Sequence, residues 1–220
     1  KELGVELTVP AYVVQRCIEQ YGIGFLFAPA AHPKLAALMP LRKELGVKTL
    51  FNLLGPLSNP AGVTHQLVGV FQRSFIEPMA EALNELGVKG AWVVHSRDGM
   101  DEISINSATD VAILLDGKIE LKIIEPESLG IDPAAEDVFK GGTAVVNARV
   151  LRNVLAGEET GALARSVALN AAAACCTVVG WSNLEEYYGR CLEKLLSGIC
   201  AKKLEQLVAF LDAQKLVIID

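Results

Sequence analysis

Apolar positions recur along the chain with two alternating periods. The spacing Val13, Val14, Cys17, Ile18 traces one face of a helix, introduced by Thr8 and Pro10 and ended near Gly22. A short strand is expected at Phe25 to Ala28, and Pro33 opens a second helix that runs to about Leu45 and closes at Gly46. The stretch Phe51-Asn52-Leu53-Leu54-Gly55-Pro56-Leu57-Ser58-Asn59-Pro60 is too rich in Gly and Pro to be regular throughout, and predicts a short helix followed by an ordered loop. From there strands and helices alternate: strand 67–71, helix 76–86, strand 91–95, a polar loop at 96–102, and strands near 103–105 and 110–115. Asp116-Gly117 is a hairpin signal leading into a strand at 118–124. After a loop-rich connection at 125–141, helices are expected near 142–155, 160–179 and 183–212, the last broken at Ser197-Gly198.

Strands alternating with helices, followed by terminal helices, predict an α/β layer fold with some mixed strand pairing. A length of 220 residues allows one sizeable core, or one domain with a small helical annex. Hydrophobic residues at 51% and charged residues at 21%, with Gly and Pro spread out, predict folding over the whole chain. The net charge of −6 disfavours a polyanion-binding surface, so nucleic acid is not the expected partner. Candidate apolar runs are interrupted by Asn170, Thr177 and Gly180 before reaching the roughly 18 to 20 residues of a membrane span, and Lys1-Glu2-Leu3-Gly4 lacks the apolar core of a signal peptide. Cys17, Cys175, Cys176, Cys191 and Cys200 form no CxxC pattern or disulfide framework, and read as reduced core thiols of a cytoplasmic protein.

Three places offer chemistry. His32 follows the apolar run Phe25-Leu26-Phe27-Ala28 and precedes a helix start, near a sheet edge where α/β proteins gather ligands. Arg42 lies ten residues on, within about 15 Å along a helix. Asp101 and Glu102 fall in the loop after the strand Ala91-Trp92-Val93-Val94-His95, and adjacent acids there suit a hard divalent cation such as Mg2+. Taken singly, each also fits a plain structural role. His65 and His95 have no partners at zinc-like spacing, a G-x-S-x-G elbow is absent, and Lys140-Gly141-Gly142-Thr143 lacks P-loop spacing.

The three places occur in one order within longer matching text: Gly22-Ile23-Gly24-Phe25-Leu26-Phe27-Ala28-Pro29 with His32-Pro33, Arg42-Lys43-Glu44-Leu45-Gly46-Val47, Phe51 to Leu57 with Asn59-Pro60, and Asp98-Gly99 with Asp101-Glu102-Ile103-Ser104. In these stretches, and in Asn147, Leu169-Asn170-Ala171-Ala172 and Lys203-Leu204-Glu205, the chain resembles anthranilate phosphoribosyltransferases (glycosyltransferase family 3). That resemblance implies a nucleoside phosphorylase/phosphoribosyltransferase-type α/β domain with a small inserted helical element. Residues 1–30 and 48–220 would form the large α/β domain, and the helix within 31–47 would belong to a small helical domain.

The resemblance further implies transfer of a phosphoribosyl group from phosphoribosyl pyrophosphate to anthranilate, a step of tryptophan biosynthesis. Arg42 would contact the anthranilate carboxylate, His32 and Pro56 would line the anthranilate channel, and Asp101 and Glu102 would hold Mg2+ on the pyrophosphate. A homodimer through the helical domain is expected. Neither the Gly-Thr-Gly-Gly-Asp loop nor the Lys-His-Gly-Asn-Arg segment of the family occurs in the sequence, so the chain is expected to be a carboxyl-terminal part with little activity alone. The alternatives are a non-catalytic nucleic-acid-binding relative and a pyrimidine nucleoside phosphorylase.

Overall fold

The structure, a computed structural model, describes residues 1–32 and 51–218. Arg42, the helix expected from Pro33 and nearly all of the 31–47 insertion lie outside those residues.

Helix α1 (Ala11–Tyr21) follows Pro10 and ends at Gly22, whose φ of 72° lets its N–H reach back to the Ile18 carbonyl. Its buried Val13 and Cys17 pack on Leu207, Phe210 and Leu211 of the last helix, α8 (Ile199–Ile218). The strand expected at Phe25–Ala28 does not form. A four-residue helix, α2 (Ala28–Ala31), stands there instead, because Pro29 is preset for a helix's first turn and alanine favours helix. Helix α3 (Phe51–Leu57) carries Pro56 inside its last turn.

One mixed sheet organises the rest, with strands in the order β1-β2-β3-β4. β1 (His65–Gly69) and β2 (Gly90–Ser96) are parallel, joined through helix α4 (Ile76–Glu85). β3 (Thr109–Leu115) and β4 (Lys118–Ile124) then add antiparallel pairs. The β3–β4 turn has Asp116 at φ 46° and Gly117 at φ 81°, the left-handed pair a two-residue hairpin requires.

Alternation along the strands gives the sheet two apolar faces. Ala91, Val93, Ala112 and Leu114 meet Ile76, Met79, Ala80 and Leu83 of α4 on one, with Leu53 of α3 beside them. Trp92, Val94, Val111 and Ile113 meet Leu169, Ala172, Ala173 and Cys176 of α6 (Ala162–Val179) on the other. By length and its mean hydropathy of 1.6, α6 could cross a membrane, yet its small-residue face is buried against the sheet. Helices α5 (Ala144–Leu155) and α7 (Leu184–Leu196) pack beyond it, and Gly198 at φ 72° breaks α7 from α8 as expected.

Two glycines set how α6 and the loop after β2 lie on this face. A Cβ on Gly90 would run into the Thr177 carbonyl oxygen, and one on Gly69 would run into the Asp101 carbonyl oxygen. Thr177 near the end of α6 therefore sits over the start of β2. The helix's first half lies toward the carboxyl ends of β1 and β2, so α6 runs antiparallel to the strands.

The thiols are only partly core groups. Cys17 and Cys176 are buried, Cys191 and Cys200 half-buried, and Cys175 is exposed, because helix periodicity turns Cys175 away from the sheet while Cys176 faces it.

Candidate functional site

The loop between β2 and β3 is irregular but closely bonded. It opens with a turn in which the Gly99 N–H donates to the Ser96 carbonyl and the Ser96 N–H to the Met100 carbonyl. The Ser104 hydroxyl donates to the Asp98 carboxylate at 2.6 Å and in turn accepts from the Asn106 N–H. Partial burial pushes the Asp98 carboxyl up, but hydrogen bonds from Ser104 and Ser96 and the Met100 N–H outweigh it and hold the group below its ordinary value.

No strand forms at 103–105. Ile103, Ser104 and Ile105 are all buried, so alternation does not separate two faces there. Their amides turn to side chains instead: the Ile103 N–H donates to Asn170 Oδ1 at 2.9 Å and the Ser104 N–H to Thr109 Oγ1 at 3.3 Å.

Beneath the loop, Asp110 of β3 is 5% exposed and receives both Arg97 and Arg73. The Arg97 hydrogen bond, helped by Arg73 and opposed by burial, lowers the Asp110 carboxyl to about 2. Arg97 starts the loop and Arg73 precedes α4, so this buried acid ties the loop's root to the β1–α4 connection. The His95 ring, bonded at Nδ1 to the Val70 carbonyl at 2.8 Å, ties the same two segments.

Asp101 and Glu102 project at the top of this braced loop, both exposed. They border an open cleft of about 390 Å3 at the carboxyl ends of β1 and β2. Its floor is Leu67, Gly69 and Val94, and its far wall is Ser166, Val167 and Asn170 of α6. Crevices at strand carboxyl ends are where open α/β sheets take ligands.

Of the residues singled out in the sequence, only Asp101 and Glu102 line the cleft among the described residues. His32 caps α2, its N–H donating to the Ala28 carbonyl at 2.9 Å, and is half-buried. Pro56 is half-buried on α3, whose Leu53 and Leu57 pack with the α4 face. Arg42 lies outside the described residues.

Residues 1–201 match the a/b domain of the glycosyl transferase family. The chain belongs to that glycosyl transferase family. The anthranilate phosphoribosyltransferase of Rhodopseudomonas palustris (strain BisB18) is 49% identical to it over 212 residues, covering 96% of this chain and 62% of that protein. The crystal structure of anthranilate phosphoribosyltransferase from Thermus thermophilus superposes with a TM-score of 0.86 at 41% identity, over 96% of this chain and 62% of that one. The Saccharomyces cerevisiae enzyme in complex with PRPP and Mg superposes with a TM-score of 0.87 at 25% identity, over 96% and 61%. This glycosyl transferase chain thus spans about 60% of the length of these relatives.

The donor set of this glycosyl transferase a/b domain fits a magnesium ion that shares its shell with a substrate. Among the described residues no group of three or more His, Cys, Asp or Glu side chains could cage a metal alone. Two neighbouring carboxylates on a cleft are what Mg2+ takes when water and phosphate oxygens fill its other positions.

Sequence reasoning overlooked the groups that hold the acids. Gly69 looks like an ordinary strand glycine, and Asp110 like any acid beginning a strand. Asn170 gave a signal, being a polar side chain amid Val167, Ala168, Leu169, Ala171 and Ala172. Such a residue is expensive inside a fold unless its amide is bonded.

Proposed function

We propose that the protein to which this chain belongs transfers the phosphoribosyl group of phosphoribosyl pyrophosphate to anthranilate, releasing pyrophosphate, in tryptophan biosynthesis. The observation that carries this reading is the Asp101-Glu102 pair on an open cleft at the strand ends, in a fold whose relatives include an enzyme structure with PRPP and Mg. A second yeast structure, with 4-fluoroanthranilate, supports the acceptor; it superposes with a TM-score of 0.88 at 25% identity.

In the proposed reaction the anthranilate nitrogen donates its lone pair to the ribose anomeric carbon. The bond from that carbon to the pyrophosphate oxygen breaks, its electrons leave with pyrophosphate, and the nitrogen releases a proton. Asp101 and Glu102 would hold Mg2+, which when bound neutralises charge on phosphate oxygens. Their carboxylates project from a loop bonded on either side of them, so the backbone that carries them is set before substrate arrives. Leu67, Val94 and Val167 give part of the cleft an apolar lining.

Arg42 would clamp the anthranilate carboxylate through its planar fork, and His32 and Pro56 would line the channel for the ring. These roles rest on the sequence resemblance, as do the assignment of 31–47 to a small helical domain, a homodimer, and a cytoplasmic location. The remaining two fifths of the family's length would supply most phosphate contacts.

Steady-state kinetics on the full-length protein tests the reading. Arg42→Ala should raise KM for anthranilate roughly ten- to hundredfold, as expected for losing a charge-assisted contact of about 1.5 to 3 kcal/mol. Turnover that ignores anthranilate, or a KM unchanged by Arg42→Ala, rejects the corresponding part of the assignment.

A further inference from the structure

The amide of Asn170 is fully engaged, and its partner is the backbone directly after the acid pair. Oδ1 accepts from the Ile103 N–H at 2.9 Å, and Nδ2 donates to the Ile103 carbonyl at 2.9 Å and to the Ser166 carbonyl at 3.0 Å. Gripping both polar groups of one residue is what a neighbouring strand would do. Here a helix side chain does it for a segment that has no strand partner.

The Ile103 N–H belongs to the peptide that follows Glu102, so the grip fixes where that peptide lies and how it is turned. Between the two acids, the Asp101 carbonyl rests where Gly69 has no Cβ. The pair is therefore held between a point on β1 and a point on α6. Asn170 also lines the cleft across from the acids, and its helix is anchored on the sheet through Leu169, Ala172 and Ala173.

We propose that Asn170 is a positioning residue for the metal-holding acids: its amide sets the orientation of Asp101 and Glu102 and so the affinity of the site for a divalent cation. This rests on the reading that Asp101 and Glu102 hold the metal. Removing the amide leaves the N–H and C=O of Ile103, itself fully buried, without partners, and the loop shifts to satisfy them. Loss of such an outer partner typically weakens a metal site by about 10- to 100-fold.

The test uses the full-length protein saturated with phosphoribosyl pyrophosphate and titrated with Mn2+, bound metal being read from water proton relaxation. Asn170→Ala should raise the half-saturating Mn2+ concentration at least about tenfold, while KM for anthranilate stays within about twofold, the separation expected of a group acting only through the metal loop. Glu102→Gln should raise the same concentration. Thr177→Ala, which removes a buried hydroxyl bonded to the Ala174 carbonyl on the same helix, should not.

A shift in Glu102→Gln without one in Asn170→Ala overturns the positioning role and leaves the metal reading standing. No shift in Glu102→Gln overturns both. An equal shift in Thr177→Ala shows general loosening of α6 and also overturns the proposal. If Asn170→Ala does not fold, Asn170→Ser replaces it, since its hydroxyl can still bond the Ser166 carbonyl while losing Ile103.

Discussion

Gly69→Ala isolates the contact that seats the acid loop on the sheet. The added Cβ would overlap the Asp101 carbonyl oxygen and lie 2.7 Å from its carbon, both backbone atoms, so no side-chain rotation can relieve the clash. An ordinary carbon–carbon contact is about 3.5 to 4.0 Å, so the loop or the end of β1 must move by roughly 1 Å. Overpacking of this kind costs about 1 to 3 kcal/mol, offset by about 0.4 to 1 kcal/mol from the reduced freedom of the unfolded chain. A net loss of about 1 to 2 kcal/mol follows, and misplacing acids by about 1 Å or more can slow catalysis by about a hundredfold. Gly90→Ala is the matched control. Its Cβ would run into the Thr177 carbonyl oxygen and meet the His65 ring at 2.6 Å, so it strains the same face without touching the loop. Urea unfolding should show similar destabilisation in both variants, and a raised Mg2+ requirement should appear in Gly69→Ala alone. A Gly69→Ala protein with unchanged stability and Mg2+ dependence would refute the geometry, and an equal Mg2+ effect in Gly90→Ala would show that the effect does not come from the Gly69 seat.

Other consequences are open to equally direct measurement. The Asp110 carboxyl is lowered from 3.8 to about 2, so its stabilising contribution is complete above about pH 4 and is lost as pH falls through about 2. Because Arg73 and Arg97 are themselves 69% and 47% exposed, screening reduces this to about 1 to 2 kcal/mol, and Asp110→Asn should flatten that part of the acid unfolding curve. Burial pushes the Cys176 and Cys191 thiols up to about 11, so under native conditions iodoacetamide should label exposed Cys175 first, with mass spectrometry of the peptides showing the order. Gly117→Ala places a Cβ at φ 81° in the β3–β4 turn and should cost about 1 kcal/mol in chemical denaturation with no effect on Mg2+ dependence.

Elements with a strong local signal were legible in the sequence. The Asp116-Gly117 hairpin, the Gly22 and Gly198 helix ends and the strand 91–95 all appear where turn chemistry and periodicity put them. The two expected strands that do not form share a different cause. At 25–28 the apolar run has Pro29 just after it and becomes extended chain and one helical turn. At 103–105 alternation suggested a strand, but the backbone is satisfied by Asn170, 67 residues away, and by Thr109. The site divides the same way. Two acids after a strand are visible to anyone reading the chain, whereas the glycine that leaves them room and the amide that turns them act only across the fold.

That division explains why the acid loop can be irregular and still hold its place. A loop carrying two exposed carboxylates has like charges side by side and no metal cage of its own, so nothing in the acids themselves orders it. Order comes from the surrounding fold: the Asn170 amide, the Ser104 hydroxyl on Asp98, the close seat at Gly69, and the Arg97–Asp110 pair at the loop's root. The Asn170 amide and the Gly69 seat add no charge beside the two carboxylates, so they fix the backbone while leaving both acids free to meet a cation. A site with only two protein carboxylates also binds Mg2+ weakly until phosphate oxygens complete its shell. In the proposed reaction this links metal capture to arrival of the sugar diphosphate, which is useful only if the carboxylates already point the right way. A mobile pair would spend that binding energy on its own ordering. In that proposal, the polar residue in the middle of an apolar helix is where metal affinity and loop geometry would meet.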